Sequence, residues 1–175
     1  MKKIIAVVSS AALLSLVSVS SASAQKLADP GGSYSVSGAL NLFQTVPGVF
    51  CNVSMTVNVD AAGVGSATGI TFSPGHPLCG TAIFPIGPWP VRGINVATQE
   101  IEIDVDVIAA GGRCTGTLSS SAANVTLTQS PNRIVVPGSY PGGATVPGTP
   151  STCYVDGILT VNAVPPTTGQ LRVVP

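Results

Sequence analysis

Long runs in which apolar and polar side chains strictly alternate limit what this chain can become more than any other feature. Cys51, Val53, Met55, Val57 and Val59 alternate with Asn52, Ser54, Thr56 and Asn58. From Glu100 to Val107, four carboxylates (Glu100, Glu102, Asp104, Asp106) interleave with Ile101, Ile103, Val105 and Val107. Successive side chains of an extended strand point to opposite faces, so each run has one buried and one solvated face. On a helix the same residues would be spread around the whole circumference.

The same period recurs in weaker form. Tyr34, Val36, Gly38, Leu40 and Leu42 share a face, and so do Cys153, Val155, Gly157, Leu159 and Val161. Shorter strands are expected over Ser66–Phe72, Thr81–Pro85, Arg113–Ser119, Asn124–Leu127 and Arg133–Val136, with Leu171-Arg172-Val173 as a short edge strand. Turn-forming clusters such as Asp29–Gly32, Asp60–Gly63, Ser73–Pro77 and Ser130–Asn132 separate them. About eight or nine short strands with no helical period predict an all-β fold, an antiparallel β-sandwich or a barrel-like variant of it. Pro137–Pro150 is dense in Pro and Gly and reads as a long surface loop, with 164–175 as a tail. Pro88 and Pro90 flank the sole Trp, Trp89, which places that stretch at a sheet edge or on the surface, because proline donates no ladder hydrogen bond. The triplet Gly-x-Leu occurs on three inward strand faces, at Gly38, Gly116 and Gly157, and reads as coincidence in a Gly-rich chain.

Met1-Lys2-Lys3, an apolar stretch from Ile4 to Val19 and Ala22-Ser23-Ala24 have the order of a secretory signal peptide, expected over residues 1–24. Cleavage there leaves residues 25–175 as a single secreted domain, with the periplasm or cell surface as other destinations. No later stretch is long and apolar enough for a transmembrane helix. Cys51, Cys79, Cys114 and Cys153 follow the signal, and an even number in an exported chain predicts two disulfides. Cys51 with Cys79 and Cys114 with Cys153 is the favoured pairing, because each closes a moderate loop between neighbouring segments, and the crossed pairings stay open. With no C-x-x-C and one histidine, the chain has no zinc-ligand spacing.

Lys2 and Lys3 leave with the signal, so five basic groups face seven acidic ones, a net of −2 without a basic patch for nucleic acid. Charged residues make up only 8% of the sequence, so the surface is Ser, Thr, Gly, Asn and Pro. Such a surface suits contact with apolar matter, a hydrophobic substrate included, or with other copies of the chain. His76 is the one candidate base and no G-x-S-x-G accompanies it, so no catalytic residues are assigned and no cofactor is expected. The acidic row from Glu100 to Asp106 offers oxygens for calcium, but carboxylates two apart on a strand lie about 6–7 Å from each other, and a solvated strand face is the expected reading. Phe84, Ile86 and Trp89 are the candidate hydrophobic surface.

Cys51 within an alternating strand, Ala67-Thr68-Gly69-Ile70, Leu78-Cys79, Pro88-Trp89-Pro90-Val91, Cys114-Thr115-Gly116-Thr117-Leu118 and Cys153-Tyr154-Val155-Asp156-Gly157-Ile158-Leu159 follow one another in order. In this the chain resembles the exported alkane-oxidation activator proteins (PraA/PraB-like) from Ser33 to Val164. It departs from them in its acidic strand and in the loop from Pro137 to Pro150. The resemblance implies a small extracellular bacterial protein that helps cells use poorly soluble hydrocarbons, by emulsifying or contacting the oil phase, without oxidising anything itself. The alternative from another class is a structural or adhesive subunit of a fibre or biofilm matrix, joined by strand addition at exposed edges.

Overall fold

A computed structural model of the chain describes residues 25–44, 48–73, 75–109, 111–118, 124–138 and 143–175. The expected signal peptide, residues 1–24, lies outside the described residues. Every regular element among them is a strand: β1 (Lys26–Leu27), β2 (Ser33–Phe43), β3 (Val49–Val59), β4 (Gly65–Ser73), β5 (Phe84–Pro85), β6 (Trp89–Asn95), β7 (Glu100–Ala109), β8 (Gly112–Thr117), β9 (Val125–Gln129), β10 (Asn132–Val136), β11 (Ala144–Val146), β12 (Gly148–Thr149), β13 (Cys153–Ala163) and β14 (Val173–Val174).

Eight of these close a barrel. β2, β3, β4, β6, β7, β9, β10 and β13 are hydrogen-bonded in that order, all antiparallel, and β13 returns to β2 over Tyr154–Ala163. The closing seam is short, with Glu100 opposite Thr126 and Ile101 opposite Val125. The all-β expectation thus takes its barrel-like form. The alternating runs explain it: on β3, Cys51, Val53, Met55, Val57 and Val59 are buried while Asn52, Ser54 and Asn58 are exposed.

The two ends differ. At the start of β7 the wall is continuous, because this half of the strand sits between β6 and β9. Here β1 pairs with β14, and Leu27, Leu171 and Val173 are buried, so the expected tail 164–175 instead seals this closed end. Gln99 holds the seal, its Nε2 donating to the Val173 carbonyl (3.0 Å) and its Oε1 accepting from the Val173 N–H (2.9 Å). Beside it the buried Tyr34 hydroxyl donates to Asp29 Oδ2 at 3.0 Å.

At the other end the wall forks. From Asp104 onward β7 leaves β9 and pairs with β8 on one side, and through Val107 and Ile108 with β5 on the other. β13 does likewise: its Gly157–Thr160 stretch pairs with β10, but Cys153–Val155 pairs with β11. The stretch read as the loop Pro137–Pro150 therefore differs from expectation, because 144–149 supplies β11 against β13 and β12 against β8 and spans the gap between them. Ala144 and Val146 are fully buried, apolar content that proline and glycine had masked in the sequence.

Trp89-Pro90-Val91 also departs from the edge-or-surface expectation: it begins β6, inside the barrel wall. Pro90 is tolerated because it pairs only with Ser66 of β4, and β7 joins β6 from Val91 onward. Two of the Gly-x-Leu triplets face each other, Gly38 opposite Leu159 and Leu40 opposite Gly157. Each glycine makes room for the opposing leucine. A methyl on Gly157, whose φ is +146°, would run into the Ala39 carbonyl oxygen and the Leu40 side chain.

Two predictions follow from this packing. Gly157→Ala should lower stability by about 1–3 kcal/mol, read as a shift of the urea midpoint, because it combines a strained φ with a backbone clash. Burial, and then the neighbouring Asp29, push the Tyr34 phenol well above its ordinary range. In alkaline titration followed by ultraviolet difference absorbance, one of the three tyrosines should fail to ionise near pH 10. It should ionise together with unfolding, since a raised phenol pKa means stability is kept below about pH 10 and lost above it.

Candidate functional site

The forked end is built from two covalently tied bridges. Cys51 of β3 bonds Cys79, which anchors the turn segment leading to β5. Cys114 of β8 bonds Cys153 of β13, directly beneath the β11–β12 bridge, where Val146 lies opposite Cys153 and Gly148 opposite Cys114. Gly148 is required there, since a Cβ would stand 2.6 Å from the Cys153 sulfur. These are the pairs favoured from loop length. Their closure of 28- and 39-residue loops contributes roughly 3.5 to 4 kcal/mol each on the chain-entropy model.

Between these bridges the barrel holds a partly open pocket of about 80 Å³. One buried water takes about 10–15 Å³ on the same measure, so the space is several waters large. Phe72, Trp89, Val107, Cys114, Cys153 and Leu159 are among its walls, which are overwhelmingly apolar. Gln44, just after β2, is among the lining residues. Its Nε2 donates to the carbonyls of Thr149 and Ser151, both at 3.1 Å, which ties β2 to the bridge. Its Oε1 is buried and accepts no hydrogen bond.

Of the candidate surface residues, the structure keeps Phe84 outside (44% exposed), leaves Ile86 half-buried, and turns Trp89 inward (5% exposed). Trp89 therefore does not belong to an exposed surface. Its indole packs against Phe72 with ring centroids 6.4 Å apart, and its Nε1 donates to the Asp106 carbonyl at 3.2 Å. The partner that Phe84 does have is Ile108, opposite it on β7 and also 44% exposed. Nothing in the sequence joined them, because the β5–β7 pairing spans two intervening turns. Gln44 was equally hidden, as a polar residue just past an alternating run.

His76 is engaged locally, its Nδ1 accepting the Leu78 N–H at 3.2 Å. The acidic row faces outward and is matched by arginines on the flanking strands. Arg92 of β6 reaches Asp104 (2.5 Å) and Glu102 (3.7 Å). Arg113 of β8 grips Asp106 with two parallel hydrogen bonds, its Nε at 2.8 Å from Oδ1. Among the described residues no cluster of His, Cys, Asp or Glu is arranged to hold a metal ion. The Thr117 hydroxyl above all holds the Asp104 carboxyl below its usual range, and Arg113 does the same for Asp106.

Both depressed carboxylates add stability above their ordinary pKa of about 4, which is lost as pH falls through the lowered values. Arg113→Ala should raise the Asp106 pKa toward the ordinary range and leave Asp104 nearly unchanged, whereas Thr117→Val should do the reverse. Carboxyl carbon NMR titration of the two variants checks this, and equal movement of both groups in either variant would contradict the assignment.

No curated protein and no solved structure matches the chain. A family model described as alkane oxidation protein activator PraA/PraB-like matches residues 1–175, and the chain belongs to that family.

Proposed function

We propose that the protein is an exported, non-enzymatic accessory of alkane oxidation that gives cells access to hydrophobic substrates by contacting or emulsifying the oil phase. The observation that carries this reading is the exposed apolar pair Phe84 and Ile108 at the forked end, set in a surface otherwise rich in Ser, Thr and Asn. A disulfide-tied barrel can offer such a pair to oil without unfolding, because the residues beside it are held by Cys51–Cys79 and by β7. Two disulfides suit an oxidising compartment outside the cytoplasm. The outward residues of β3 from Asn52 to Asn58 and of β7 from Glu100 to Asp106 are polar or acidic, unlike the apolar outer band of a membrane barrel.

The matrix-subunit alternative needs long free strand edges for addition of further copies. Barrel closure speaks against it, because the eight wall strands close a ring through the β7–β9 seam and the added strands β5, β8, β11 and β12 are short.

Purified, oxidised protein should lower interfacial tension and emulsify hexadecane. Phe84→Ser combined with Ile108→Ser should lose most of that activity while keeping its circular dichroism. Negligible activity in the parent protein, or equal activity in both, would sink the reading, and filaments in negative stain would favour the matrix subunit.

A further inference from the structure

We infer that the pocket at the forked end binds the terminal segment of one saturated hydrocarbon chain, about three carbons of it, entered between Leu42 and Ala109. Burial along two strands locates the mouth. Leu42 and Ala109 hold inward positions near the ends of β2 and β7 and are only half-buried, whereas Leu40 and Val107, the preceding inward residues of the same strands, are buried. All of them line the pocket. At the opposite end Leu27, Leu171 and Val173 seal the barrel, so entry is from the forked end.

Size and lining select the occupant. An apolar cavity of about 150 Å³ stays dry and takes benzene, so a space of about 80 Å³ takes about half as many carbons. An eight-stranded barrel is also the width at which the interior holds one small ligand. The side chains of Met55, Ile103, Leu118 and Leu159 bring only carbon and sulfur to the walls. A hydroxyl carried in among them gives up its bonds to water and finds little to replace them, whereas a methyl or methylene group gains burial. The choice of a saturated chain rests on the hydrocarbon reading above. The pocket itself is a separate place from the exposed pair Phe84 and Ile108, whose neighbours in the chain, Ile83 and Val107, line it.

Met55 lines the pocket and is the chain's only methionine besides Met1, so its methyl signal in NMR reports on this site. When oxidised protein with isotope-labelled methyl groups is titrated with propane, the Met55 methyl should shift saturably, and those of Leu27 and Val173 at the closed end should stay in place. Ethanol, which matches propane in heavy atoms, should bind at least about tenfold more weakly. n-Pentane should shift Met55 as propane does, because its outer carbons pass between Leu42 and Ala109. Ala109→Phe narrows that opening and should weaken pentane binding at least about tenfold. The wild-type titrations are a complete test should this variant fail to fold. No saturable shift of Met55, equal shifts at the closed end, or equal affinity for ethanol overturns the inference. A response to propane without one to n-pentane, or undiminished pentane binding by folded Ala109→Phe, overturns the entry of a chain end between Leu42 and Ala109. Propane binding in a protein without interfacial activity sinks the proposed function and leaves this site intact. Emulsification by a protein whose Met55 stays silent does the reverse.

Discussion

The structure depends on how β7 divides its hydrogen bonds. A strand has two edges, and over Glu100–Ile101 one goes to β6 and the other to β9, which closes the barrel. Beyond Asp104 the same edges go to β8 and β5. A cylinder that stays closed at one end and splits at the other cannot be filled to the same depth throughout. The closed end is sealed by Leu27, Leu171 and Val173, while the forked end keeps space between its walls.

Splitting a wall leaves unpaired backbone, and buried backbone groups must find partners. The short strands β5, β11 and β12 meet that need by lying across the openings, and none of them is long enough to be stable alone. The two disulfides tie these regions to the wall: Cys51–Cys79 holds the approach to β5, and Cys114–Cys153 joins the two strands that β11 and β12 bridge. The covalent bonds therefore stand at the forked end, beside the short bridging strands, and both disulfides border on residues that line the pocket. Gln44 belongs to the same arrangement, since its two donated bonds fasten β2 to the bridge and leave its oxygen over.

The outer surface follows a different rule. Its acidic row is a strand face matched by Arg92 and Arg113 on the strands to either side, and cross-strand pairing accounts for the alternation without any bound ion. The exposed apolar residues are few and stand among hydroxyl and amide side chains. Phe84 and Ile108 are set apart because they lie side by side on paired strands.

Strand content, the inward face of each long strand and the number of disulfides were legible in the chain, because a period of two is a local property and apolar residues must leave water. The sulfur pairing was accessible from loop lengths, though not uniquely. Ring closure, the fork of β7, the bridge over 144–149, the inward turn of Trp89 and the pairing of Phe84 with Ile108 were decided only by the tertiary structure. Each of these depends on which distant strand supplies the missing hydrogen bonds, and a strand's own residues carry no label for its neighbour. The stranded oxygen of Gln44 is the sharpest case: its isolation comes from two carbonyls more than a hundred residues away, which nothing near it in the chain foretells.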